Sequence, residues 1–196
     1  MLTFAISVFL LIVTPGPGVL STAGFGAAYG FRRSLPYVFG LFLGTNLVFL
    51  AVASGLVAVL FSIPSLRIFL LILSTCYLFY LASKIALAGS KIAFIQANAP
   101  PGISSGVLLQ TINPKAYVVN TTFVSGFAFY QSSLVIELII KFFIINSIWI
   151  PLHLLWLYAG TALYELNLSN KNQKIINLIL SFSMIVAVVI SVLYSF

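Results

Sequence analysis

From residue 3 to residue 193 the chain is a succession of long apolar runs, each ended by a charge, a proline or a polar cluster. A run of about 20 apolar residues is what a helix needs to cross the hydrocarbon core of a bilayer. Only 6% of the residues are charged and the mean hydropathy is +1.20. A soluble domain carries about 25% charged residues. Nine Lys/Arg and two Asp/Glu cannot coat a water-facing surface. The chain reads as an all-α integral membrane protein, and a soluble core, a disordered chain and a coiled coil are excluded.

Six spans are expected. The first covers about residues 3–23, followed by a Gly-rich loop with Arg32 and Arg33. The second covers 37–61 and the third 66–87, with Arg67 and Lys84 near its ends. A polar connection, 88–105, holds Lys91 and Pro100-Pro101-Gly102 and divides the chain into halves, 1–98 and 99–196. The fourth, fifth and sixth spans cover 106–129, 134–158 and 175–193. A β-barrel is excluded because runs such as 179–192 are continuously apolar, whereas barrel strands alternate. No positive stretch precedes the first apolar run, so it reads as a retained span and not as a cleaved signal.

The basic balance, +7, has a membrane explanation. Six cations fall on the odd-numbered loops: Arg32, Arg33, Lys84, Lys91, Lys171 and Lys174. Two, Arg67 and Lys141, fall on the even-numbered ones, and Lys115 lies within a span. Positive loops face the cytoplasm, which places both termini outside a cell (plasma or inner) membrane. Nucleic acid is not an expected partner, because the cations form no patch. The single Cys76 and single His153 offer no metal site, and no cofactor motif is present.

Two spans carry breaks. The first contains Thr14-Pro15-Gly16-Pro17-Gly18 and the fourth contains Asn113-Pro114-Lys115. Proline removes a backbone donor and clashes with the preceding turn. In lipid such a break survives only beside protein or a wet cavity. Pro15 and Pro114 lie 99 positions apart in a 196-residue chain. Each half therefore has three spans with the break in its first. Three is odd, so the halves enter the membrane from opposite sides, as in inverted-repeat transporters with midplane sites. Asn46 and Asn146, 100 apart, are a weaker echo.

These residues resemble the amino-acid exporter family that includes the lysine exporter and the homoserine/threonine exporters. The resemblance covers nearly the whole chain. It rests on Thr14-Pro15-Gly16-Pro17, Gly30 with Arg32-Arg33, Gly40 and Gly44, Tyr77-Leu78-Phe79-Tyr80-Leu81, Gly106, Asn113-Pro114-Lys115-Ala116 and Trp156-Leu157-Tyr158-Ala159. Gly18 and Ala82 stand where members often have Asn and Gly. The resemblance implies proton-driven export of amino acids or similar small metabolites, without ATP.

The residues themselves suggest how a zwitterion would be held. The helix resumed after Pro17 has a positive N-terminal end that suits a carboxylate. Carbonyls before the break, at Ile12 and Val13, suit an ammonium. Lys115 pairs with the carboxylate, controls access, or simply snorkels to the interface. Asn113 is a ligand or a helix cap. No Asp or Glu lies centrally in any span, and His153 is either a proton carrier or a packing residue. Gly26/Gly30 and Gly40/Gly44 have the spacing of close helix approach. That spacing fits packing within a subunit better than a homo-oligomer seam. The competing classes are an ion or metal exporter, which would need acidic or soft ligands, and a non-transporting scaffold. A membrane enzyme would need a cluster of acid, base and nucleophile, and the chain offers none.

Overall fold

The computed structural model describes residues 1–14, 16–87, 101–166 and 169–193. Pro15 and most of the 88–105 connection, including the expected boundary between halves, lie outside the described residues. These hold nine helices and no strand. They are α1 (Leu2–Val13), α2 (Pro17–Tyr29), α3 (Phe31–Ala53), α4 (Leu56–Phe61), α5 (Pro64–Leu87), α6 (Ile103–Ile112), α7 (Pro114–Ser125), α8 (Leu134–Glu165) and α9 (Asn170–Leu193).

Both expected breaks are present. α1 stops at Thr14, whose ψ of 126° is the extended conformation that a following proline imposes. α2 restarts with Pro17 in its first turn, where the missing N–H costs nothing. The two axes are bent by 53°. α6 and α7 repeat the arrangement, with Asn113 extended between them and Pro114 opening α7.

α1 buries Phe4, Val8 and Ile12, one stripe at helical spacing, and exposes Leu2, Ile6, Phe9 and Leu10. α2 is buried almost all round. α3 buries Tyr37, Leu41, Thr45 and Val48 while Phe39, Leu43, Leu47 and Leu50 face outward. Such a continuous apolar exterior suits lipid and not water. α3 and the Leu134–Ala162 stretch of α8 are each long and apolar enough to cross a membrane, and the bent α1–α2 pair makes a third such unit.

Glycine sets two close seams, α2 on α8 and α3 on α6. A Cβ at Gly26 would lie 2.6 Å from the Leu157 carbonyl oxygen, and one at Gly160 would collide with that of Ala23. Gly40 and Gly106 meet the backbones of Ile103 and Tyr37 in the same way. Gly44 closes on Val107 and Gln110. The glycine spacings thus serve packing within the subunit. Gly30 differs: its φ of 78° ends α2 in a conformation that favours glycine.

Three sequence expectations change. The expected second span, 37–61, is divided at Ser54-Gly55, where Gly55 has a φ of 77°, into α3 and α4. Arg32 and Arg33 sit in the first turn of α3, not in a Gly-rich loop, because α2 continues through Gly24 and Gly26 to Tyr29. Lys141 is not a loop charge. It is fully buried on α8, 2.7 Å from Glu137 one turn earlier, and its Nζ donates to the Val124 carbonyl at 2.8 Å. Glu137 also accepts from the Phe129 and Tyr130 N–H groups. The Phe4 and Phe129 rings flank the ammonium at 5.9 and 5.7 Å. A buried charge is tolerable when paired and hydrogen-bonded in this way.

Candidate transport site

The ends of α1, α2, α6 and α7 converge on one cavity of about 490 Å³, its open mouth included. Leu11, Ile12 and Thr14 line it from α1, and Gly16 and Gly18 from the start of α2. Gln110, Asn113, Lys115 and Asn120 come from the second break. Thr45 on α3 and Trp149 and His153 on α8 complete the polar and aromatic wall.

Lys115 joins the two breaks. Its Nζ donates to the Thr14 carbonyl oxygen at 2.6 Å. That oxygen belongs to the negative end of α1, where a cation is favourable. The same lysine occupies the first turn of α7, the positive end of its own helix, where a cation is unfavourable. The reach across to α1 offsets this. Its stem lies over Gly16, where an added methyl would come 2.8 Å from Lys115 Cδ. Gly16 has an extended backbone (φ −163°), so a glycine is needed there for space and not for torsion.

The helix starts differ chemically. The Asn113 side chain caps α7, accepting from the Lys115 backbone N–H at 3.1 Å, and donates to Gln110 Oε1 at 3.0 Å. α2 has Gly16 at its cap position, with no side chain to serve its first N–H groups. Gln110 Nε2 has no protein partner among the described residues. A methyl at Gly18 would stand 3.9 Å from that Nε2 and 3.7 Å from His153 Nε2.

His153 is buried, stacked on Trp149 at 3.5 Å between ring centroids, and its Nδ1 is 3.0 Å from the Trp149 carbonyl. That carbonyl accepts only, so Nδ1 carries the proton and the neutral ring turns an acceptor, Nε2, toward Gly18. Asn120 spends its amide on the Ala116 carbonyl. Tyr37 donates to Ser21, and Ser21 and Thr22 donate to the Gly18 carbonyl, which fixes the first turns of α2.

Of the residues expected at the site, Thr14, Gly16, Gly18, Asn113 and Lys115 line the cavity. Pro17 and Pro114 shape the helix starts beside it, and Pro15 lies outside the described residues. Asn46 and Asn146 do not line it. They hydrogen-bond each other through both amides, at 3.2 and 2.9 Å. Sequence reasoning missed Gln110, Asn120 and Thr45. Gln110 lies one turn before Asn113, and a polar residue in an apolar run beside a break was the available signal.

Half-helix termini meeting at an interior cavity, within a bundle of apolar exterior, are the build of a membrane transporter. A family model, LysE type translocator, matches residues 9–195, and the chain belongs to that family. No curated protein and no solved structure matches the chain. By that membership the protein is a membrane transporter.

Proposed function

We propose that this protein is a secondary transporter that exports amino acids or closely related metabolites from the cytoplasm, with cargo bound where the two breaks meet. The observation that carries this reading is the Lys115 bridge from one break to the other, across a cavity fed by two helix N-termini. A cargo carboxylate would take the open start of α2 and the Lys115 ammonium. The cargo ammonium would take the Thr14 carbonyl that Lys115 leaves. The ground state thus holds a lysine where the cargo amine would bind.

The proposed architecture is six spans as two inverted three-helix repeats, 1–98 and 99–196, in the plasma or inner membrane with both termini outside. α5 and α9 have 24 residues each. That makes each about 36 Å long, enough to span. Three contacts support the repeat. An axis of two-fold symmetry brings a residue against its own equivalent. Gly16 lies under Lys115, 99 positions on; Asn46 pairs with Asn146, 100 on; Ser181 donates to the Ala82 carbonyl, 99 back. They come from three different pairs of elements.

His153, whose acceptor nitrogen faces Gly18 in the cavity, is the candidate for proton coupling. No cofactor takes part in this scheme. With Lys141 internal, the cations at or beyond the span ends run six against one by sequence position, which supports the orientation. The test is efflux of a panel of preloaded amino acids from vesicles containing the purified protein. Saturable efflux above empty vesicles is expected. Efflux no faster than from empty vesicles for every amino acid would leave a scaffold.

A further inference from the structure

The substrate class follows from the charge inventory around the cavity. The chain contains two acidic residues in all, Glu137 and Glu165. Glu137 is committed to Lys141 and to two backbone N–H groups, and does not line the cavity. Glu165 is exposed at the far end of α8. The cavity therefore has no carboxylate. What it has is positive: the Lys115 ammonium and the N-terminal ends of α2 and α7.

A single carboxylate from the cargo is matched by these groups. A second cation on the cargo is not. The oxygens that remain are neutral, and the carbonyl best placed for an ammonium, that of Thr14, serves one amine at a time. An aromatic face can hold a cation, but Trp149 is stacked on His153 and packed by Phe42, and the Phe123 ring is buried against Phe4. A cationic side chain would enter a low-dielectric site beside Lys115 with no counter-charge, which is strongly unfavourable.

We propose that the cavity accepts amino acids whose side chain carries no positive charge, and rejects lysine and arginine. The inference rests on the reading of this cavity as the cargo site. The Gln110 Nε2, without a partner among the described residues while its Oε1 accepts from Asn113, supplies a donor to a polar, uncharged side chain or to the second carboxylate oxygen.

The experiment uses the full chain in liposomes loaded separately with radiolabelled threonine or lysine, beside protein-free liposomes. Threonine should leave in a saturable manner at least about tenfold faster than lysine, with lysine at the protein-free rate. Lysine efflux within threefold of threonine would overturn the inference and leave the transport reading standing. If neither leaves faster than from protein-free liposomes, the inference falls, and the transport reading falls with it only if the rest of the amino-acid panel also stays at the protein-free rate. A second measurement reads binding without transport: threonine should raise the melting temperature of the purified protein and lysine should not. An equal rise with lysine would overturn the inference.

Discussion

Replacing Lys115 by Met separates a cargo-binding lysine from one that only reaches for a polar interface. Met keeps the unbranched stem over Gly16 and removes the ammonium. The Nζ–Thr14 oxygen distance of 2.6 Å marks a charge-assisted bond. Bonds to a charged group contribute about 1.5–3 kcal/mol. If the cargo carboxylate takes that ammonium, affinity should fall by roughly tenfold to a hundredfold, since 1.4 kcal/mol is tenfold. Fold stability should change far less. The lost bond to Thr14 is partly offset by removing a cation from the positive end of α7, worth about 0.3–1 kcal/mol. The assay is the concentration dependence of efflux from vesicles, with protein quantified in the same membranes and the melting temperature measured in detergent. Lys115→Arg should rescue only in part, because a planar guanidinium does not fit the ammonium position over Gly16. Wild-type efflux and affinity in Lys115→Met, at normal protein levels, would refute the assignment.

Gly106→Ala should cost about 1–3 kcal/mol, because its Cβ meets backbone at Tyr37 and Leu41 that cannot step aside; Gly102→Ala, with nothing within 4 Å, should stay within about 0.5 kcal/mol in the same thermal unfolding series. Asn46→Leu or Asn146→Leu should each cost about 0.5–2 kcal/mol by leaving the partner's amide oxygen without its donor while its nitrogen keeps the Phe42 or Phe142 carbonyl, and the double Leu variant should cost less than the two together; additive losses would mean the pair is not coupled. With Cys76→Ser as background, Gln131→Cys should react with an impermeant thiol reagent in intact cells and Arg32→Cys only after permeabilisation; the reverse pattern would invert the proposed topology.

The helices and both breaks were legible because apolar length and proline act locally. Pro17 and Pro114 mark helix starts whatever surrounds them. The end of α2 was not legible. Gly24 and Gly26 look like loop residues, and the close fit of Gly26 against Leu157 and Thr161 of α8 is visible only in the fold. Lys141 was misread for a related reason. Its burial depends on a Val124 carbonyl and two rings brought in from α7, α1 and the loop before α8. Asn46 and Asn146 were noticed by their spacing, yet spacing alone could not tell a cargo ligand from a mutual pair. The Lys115 reach to Thr14 spans 101 positions and needs the bent helices to be seen.

The claim that cargo binds at the breaks is tested most directly by replacing Pro15-Gly16-Pro17 with three alanines and measuring amino-acid binding to the purified protein, together with its thermal stability. Alanine favours helix by about 3 kcal/mol over each proline and about 1 over glycine. The variant should insert and fold with a more regular first span. Its α2 N–H groups would then be consumed by helix hydrogen bonds, and an alanine at position 16 would crowd Lys115. Binding should be lost while the protein remains folded. A folded variant that still binds an amino acid with near-normal affinity would contradict the account.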